Sequence, residues 1–327
     1  MLKADILPSL LHLAYVFPMP VSLRKTFIRV LFNFFWGGYE YIRRDRMYQP
    51  IEAGGRDFPH IPLKLDALFY SNICCLLSSS VHKCHILIKF WLSVPLRFMV
   101  KWDNSKPKAE IIPLHFKKIV EWARKTPVCK VKENVINHRL LYAKLIENCR
   151  PRDRLPISPS TWIRTQLKGL DNRLKDFNWL VLHRRLPVRS TLYDHNLTLN
   201  KFCPRHNCFA IETIPHVLWE CSFAQSVWGK SQQFFEILKN IDYEGVAKLE
   251  IKNVERVQLL ALVTLVSLIK TKLWEARCGA VNDTLKWSPT GLVQFIKQEV
   301  WKRIQFEIDK EGMASVKQRW KGIHPSL

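Results

Sequence analysis

The chain is 327 residues long, 47% of them hydrophobic, with 51 Lys and Arg against 28 Asp and Glu and a formal net charge of +23. That much apolar material excludes a disordered tail and suffices for a buried core in two or three units. The basic excess points to a polyanion, either nucleic acid or an acidic membrane surface, the alternative being a ribosomal-type or merely soluble basic protein. Twelve Trp, 18 Phe and 8 Tyr favour nucleic acid, because aromatic rings stack on bases.

In chain order, the apolar stretch Ile6 to Phe17 follows Lys3, but Pro8 interrupts it and Pro18 and Pro20 end it. No small-x-small cleavage site follows, so it does not read as an export signal. Leu23, Phe27, Val30, Leu31 and Phe34 recur at helical spacing, and Gly37-Gly38 is expected to stop that helix. The polar segment Trp102 to Pro107 reads as a linker. Leu140, Leu141, Leu145 and Ile146 mark a further helix, and the Pro-rich passage Pro151 to Pro159 breaks the pattern. After a Cys/His cluster, Leu259, Leu262, Val263, Val266, Ile269 and Leu273 mark a long helix apolar on most sides, hence buried. Its apolar run, Leu259 to Ile269, is far shorter than the roughly twenty residues a bilayer requires, and no membrane span is expected. Leu292, Phe295, Ile296, Val300, Ile304 and Ile308 mark the last helix. Period-two strands are scarce. The fold expected is mostly α, a multi-helical region with one small Cys/His zinc-binding knuckle.

That knuckle is Cys203, Cys208, His216 and Cys221, written C-x4-C-x7-H-x4-C. Three thiolates and an imidazole satisfy tetrahedral zinc, and two short loops of this size can close around one ion. With every position taken by protein, no place is left for a reactive water, so the zinc would be structural. His206, inside the first loop, is a further candidate ligand ranked below His216. The other six cysteines, Cys74, Cys75, Cys84, Cys129, Cys149 and Cys278, show no paired framework and read as incidental thiols in a reducing compartment.

Between Arg150 and Arg205 lie twelve basic and four acidic residues. Arg150, Arg152 and Arg154 form one cluster. Arg184, Arg185 and Arg189 form another beside the first cysteine. Guanidinium groups suit phosphate because they donate paired hydrogen bonds and keep their charge. Trp162 is expected to stack on unpaired bases, whereas Trp179, at helical spacing, reads as core. The sequence has no Asp-Asp pair, no phosphate-loop motif, no H-E-x-x-H and no G-x-S-x-G. The chain is therefore expected not to be an enzyme.

Two stretches resemble the non-LTR, LINE-type retrotransposon reverse transcriptases. Phe32-Asn-Phe-Phe-Trp36-Gly37-Gly38, followed by Pro50 to Gly54-Gly55 and Phe58-Pro59-His-Ile61-Pro62, is similar to the thumb and connector after the palm. Leu182-His-Arg-Arg-Leu186-Pro187-Val-Arg189, the cysteines, and Glu212-Thr-Ile-Pro-His216-Val-Leu-Trp-Glu-Cys221 resemble the zinc-binding domain that closes such polyproteins. The resemblance implies a thumb/connector-like region at 1–105, a basic helical linker at 106–177, a zinc-binding domain at 178–230 and a helical tail at 231–327. It implies Cys203, Cys208, His216 and Cys221 as zinc ligands, with a first gap wider than the two or three residues common in the family. It also implies a chain that starts after the palm and lacks its catalytic aspartates. The function expected is then a non-catalytic fragment gripping template RNA or target DNA, nuclear or cytoplasmic. Its partners would be RNA or DNA and other retrotransposon proteins, with no membrane. The competing readings are a zinc-stabilised protein-interaction module, an inert product of a truncated copy, and the tail of an active reverse transcriptase.

Overall fold

A computed structural model of the chain describes residues 7–78, 84–97, 100, 110–125, 137–151, 153, 155–239, 241–250, 254–282 and 286–321. It divides into two compact units, residues 1–50 with 55–154, and residues 51–54 with 155–327. Among the described residues there is no strand, only one antiparallel bridge between Phe202 and Ile211. The mostly α expectation holds.

The first unit contains helices α1 (Leu7–Ala14), α2 (Val21–Trp36), α3 (Arg44–Met47), α4 (Ile61–Ser78), α5 (Cys84–Leu92), α6 (Leu114–Lys125) and α7 (His138–Glu147). Helix α2 ends where the sequence places its end. Gly37 adopts the left-handed conformation (φ 66°) and donates its N–H to the Asn33 carbonyl at 2.8 Å, a geometry that costs an ordinary L-residue about 1 kcal/mol. The buried face differs from the one expected. Leu31 and Phe32 are buried, while Leu23, Val30 and Phe34 stay exposed. With apolar residues on nearly every side of this helix, periodicity alone does not choose a face. Packing chooses instead: Phe32 lies 5.1 Å from the Phe58 ring and 6.0 Å from Tyr48, and Arg24 clasps Asp66 of α4 through both nitrogens at 2.7 and 2.6 Å. The rest of the core gathers Phe69, Leu92, Leu96 and Leu141, with Tyr70 stacked on Trp122 at 4.0 Å. Helix α7 buries Leu141 and Ile146 but leaves Leu140 exposed.

The second unit contains α8 (Pro159–Thr165), α9 (Asn172–Leu182), α10 (Arg189–Asp194), a π-helical turn (His216–Glu220), α11 (Ser222–Phe234), α12 (Tyr243–Lys248), α13 (Leu259–Val281), α14 (Pro289–Glu311) and α15 (Met313–Trp320). Helix α13 is its axis. Leu262, Val263, Leu265, Val266, Ile269 and Leu273 are all fully buried, as expected of a helix apolar on most sides. Helix α14 starts on a Ser288 cap that accepts from the Gly291 N–H at 3.1 Å, with Pro289 in its first turn. It buries Leu292, Ile296, Val300 and Ile304 against α13. Near its end the buried Glu307 accepts from Arg303, Arg319 and the Trp320 indole N–H at 2.7 to 2.9 Å.

Two tryptophans close around residue 54. The Gly54 carbonyl accepts from Trp179 Nε1 at 2.8 Å and lies 2.8 Å from His183 Nε2. A Cβ there would come within 2.7 Å of the Trp162 ring, so only glycine fits. Trp162 is 2% exposed. This corrects the base-stacking role expected for it, since an indole sealed between Gly54 and His183 presents no face to a ligand. Trp179 is core, as expected.

Domain punctuation and structure fall at different places. Helix α9 runs unbroken through residues 177–178, and α11 through 230–231. The division lies instead within the Pro-rich passage, after Arg154. Burial explains the continuity of α9, whose Leu174, Phe177, Trp179, Val181 and Leu182 are all core residues of the second unit. The expected linker Trp102 to Pro107 lies outside the described residues.

Candidate metal centre

The knuckle is built by two tight backbone devices. In the first, the Phe202–Ile211 bridge pairs the arms of a loop, with the Cys203 N–H donating to the Ala210 carbonyl at 2.9 Å. At its tip Asn207 takes the left-handed conformation (φ 62°), which asparagine tolerates well, and the Cys208 N–H donates to the Arg205 carbonyl at 3.2 Å. The second device is the π-helical turn. The Cys221 N–H donates to the His216 carbonyl five residues back at 2.9 Å. In an α-helix, residues five apart point about 140° away from each other. The wider π turn brings His216 and Cys221 towards one side, a deformation often found at functional sites.

These devices bring the four expected residues together. One donor atom from each of Cys203, Cys208, His216 and Cys221 lies within 4.8 Å of every other. His216 Nε2 is 3.4 Å from Cys208 Sγ. Tetrahedral zinc, with bonds of about 2.3 Å to sulfur and 2.0 Å to nitrogen, needs donors roughly 3.5 to 3.8 Å apart, so the set fits that ion in chemistry and in scale. Cys203, His216 and Cys221 are buried and Cys208 is half-buried. His206 is exposed and outside the cluster, which resolves the choice of imidazole in favour of His216.

Backbone amides are aimed at the sulfurs. The Cys221 thiol is pulled down to about 5, first by a hydrogen bond from Cys203 and further by the amides of Phe223 and Ala224 and the charge of His216. Cys203 is pushed well above the usual thiol range by that same pairing and by burial, while the Arg205 amide works against the rise. A dication bound between them would take both sulfurs as thiolates. Three thiolates and zinc would leave one net negative charge, and the Arg205 guanidinium sits nearby, 3.5 Å over the Phe223 ring.

A second anchor was not legible as such in the sequence. Glu212 is fully buried and accepts from Arg277 of α13 through Nε at 2.8 Å and Nη2 at 2.6 Å. It also accepts from the Arg189 N–H at 2.6 Å. This ties the segment between the second and third ligands to the axis of the unit. Burial alone would lower the Arg277 pKa, but the Glu212 carboxylate outweighs it and the net shift is upward. The only signal in the sequence was an acidic residue four positions before His216, and its partner lies 65 residues away.

The basic residues have different fates. Arg184 and Arg185 are exposed just beyond the end of α9, Arg184 in a left-handed conformation (φ 54°). Arg189 is half-buried and donates through Nη1 to Asn200 Oδ1 and the Phe202 carbonyl, each at 3.3 Å. It thus braces the chain entering the knuckle. Arg150 is half-buried in the first unit, and Arg152 and Arg154 lie outside the described residues. Among the described residues no helix is long and apolar enough to cross a membrane.

A family model described as zinc-binding in reverse transcriptase matches residues 153–228. The match contains all four clustered residues and starts at 153, well before the expected start at 178. It supports a retrotransposon reverse-transcriptase-related protein. A comparison with curated proteins gives no match.

Proposed function

We propose that this chain is a non-catalytic, carboxy-terminal part of a LINE-type reverse transcriptase, and that it grips template RNA or target DNA around a structural zinc. The observation that carries the reading is a coincidence of two kinds. The stretch matched to a reverse-transcriptase zinc-binding family contains the four residues whose donor atoms converge on a volume of zinc size. Four protein donors leave the ion no open position, so its work is to fix the fold rather than to activate water. The grip itself is electrostatic, drawn from a net charge of +23 and presented near the knuckle by Arg184 and Arg185. Zinc thiolates need a reducing setting, in keeping with a nuclear or cytoplasmic protein.

The test is fluorescence anisotropy of the purified full chain with RNA, single-stranded DNA and duplex across a salt series. Affinity should fall steeply and linearly in log–log form, because neutralised phosphates release counterions. The charge-reversed pair Arg184→Glu, Arg185→Glu should flatten that slope. Stoichiometric zinc with no binding to any strand at low salt would sink the nucleic-acid reading and leave a protein-interaction module.

A further inference from the structure

Beside the knuckle, within the second unit, lies an open cleft of about 780 Å³. This is within the range of sites for compact ligands, roughly 300 to 1,000 Å³. Its floor is made by Ala276 and Ala280, one turn apart on α13, whose small side chains create the space. Phe223 and Trp287, both half-buried, line it as well. Arg205, His206 and Lys286 bring basic groups, Ser222 and Ser226 bring hydroxyls, and among the described residues no carboxylate lines it. The Arg205 guanidinium lies on the Phe223 ring, within reach of the charges of Glu212 and the knuckle thiols, and its place in the chain, between Cys203 and Cys208, is set by the knuckle. The first amides of α11 are aimed at Cys221, so the cleft's donors are side chains.

An indole wall beside basic side chains suits a planar ring carrying an anionic group. We propose that this cleft is a nucleotide subsite that takes one unstacked nucleotide of a single strand, its base against Trp287 and its phosphate toward Arg205 and Lys286. Bases in a duplex have both faces covered by their neighbours and do not enter a cleft of this kind, so the subsite selects unpaired strands. The inference rests on the nucleic-acid reading above and adds strand selection to it.

The experiment compares the full chain with Ala280→Phe, which fills the cleft from a half-exposed helical position and leaves every zinc ligand in place, and with Trp287→Leu. Zinc content is assayed in each. Both variants should lose about tenfold in affinity for a single-stranded 12-mer, the size of one lost base–aromatic stack, and keep their duplex affinity. A 12-mer carrying one 4-thiouridine should photo-cross-link to the peptide holding Trp287. Unchanged single-strand affinity in both folded variants, or cross-links confined to other peptides, would overturn the subsite while the electrostatic grip stood. Absence of any binding by the parent chain would remove both.

Discussion

The α13–α14 core and the zinc knuckle are neighbours within one unit, yet they are specified in opposite ways. The core is held by many interchangeable apolar contacts, with Leu262, Val266, Ile269, Ile296 and Val300 fully or almost fully buried, and each such side chain contributes roughly 1.5 to 3 kcal/mol. The knuckle adds specific contacts to a smaller apolar cluster that includes Ile214, Val217 and Leu218. It is held by four donor atoms, one π turn and one buried ion pair, none of which tolerates replacement by a merely similar residue. Losing part of the first kind of structure weakens it gradually. Losing part of the second removes it.

Metal removal should separate the two most sharply. A strong chelator, or Cys203→Ser with Cys208→Ser, should abolish hydrogen-exchange protection over 202–221 while α13 and α14 stay protected, because structural zinc supplies on the order of 10 kcal/mol or more of local folding energy. Equal loss in both regions would show that they are not specified separately. Next in size is Glu212→Ala, which leaves Arg277 buried and unpaired and should cost about 3 to 5 kcal/mol in chemical denaturation, together with weaker zinc retention. Full stability in that variant would remove the ion pair as the second anchor.

The core has one flaw that sharpens the contrast from the other side. Lys270 is fully buried in α13, its Nζ has no hydrogen-bond partner among the described residues, and burial pulls its pKa down to about 7. An unfolded chain holds that proton to about pH 10.4. Between pH 7 and 10.4 the unfolded state therefore binds more protons, and this residue's contribution to stability rises with pH. Lys270→Met should stabilise most below pH 7, by on the order of 4 kcal/mol, and progressively less as the pH approaches 10. A gain independent of pH would mean that Lys270 stays charged when folded. The smallest effect expected is Ser288→Ala, which removes the α14 cap and should lower stability by about 1 kcal/mol without touching zinc content.

Those differences explain what was readable in the sequence. Helices α13 and α14 were legible because their burial follows from a period repeated over many residues. The four ligands were legible because zinc accepts few residue types at short spacings. The buried face of α2 was not, since its apolar residues go nearly all round and only the distant Phe58 and Asp66 select Phe32 and Arg24. Trp162 misled because an aromatic in a basic stretch has the same letter whether it faces solvent or, as here, Gly54 more than a hundred residues earlier. The Glu212–Arg277 pair was invisible for the same reason, its partners lying 65 residues apart, and the π turn, though local, has no residue pattern of its own. The cleft over Ala276 and Ala280 is a space left by small residues, and it has no motif.

In the proposed function, zinc in the knuckle sustains the hold on nucleic acid. The most direct test is to withdraw zinc stepwise from the full chain with a competing chelator while following the affinity for single-stranded RNA at fixed salt. Affinity should fall in proportion to the zinc removed and return when zinc is restored. Undiminished affinity in the zinc-free chain would contradict that reading and leave the knuckle without a part in binding.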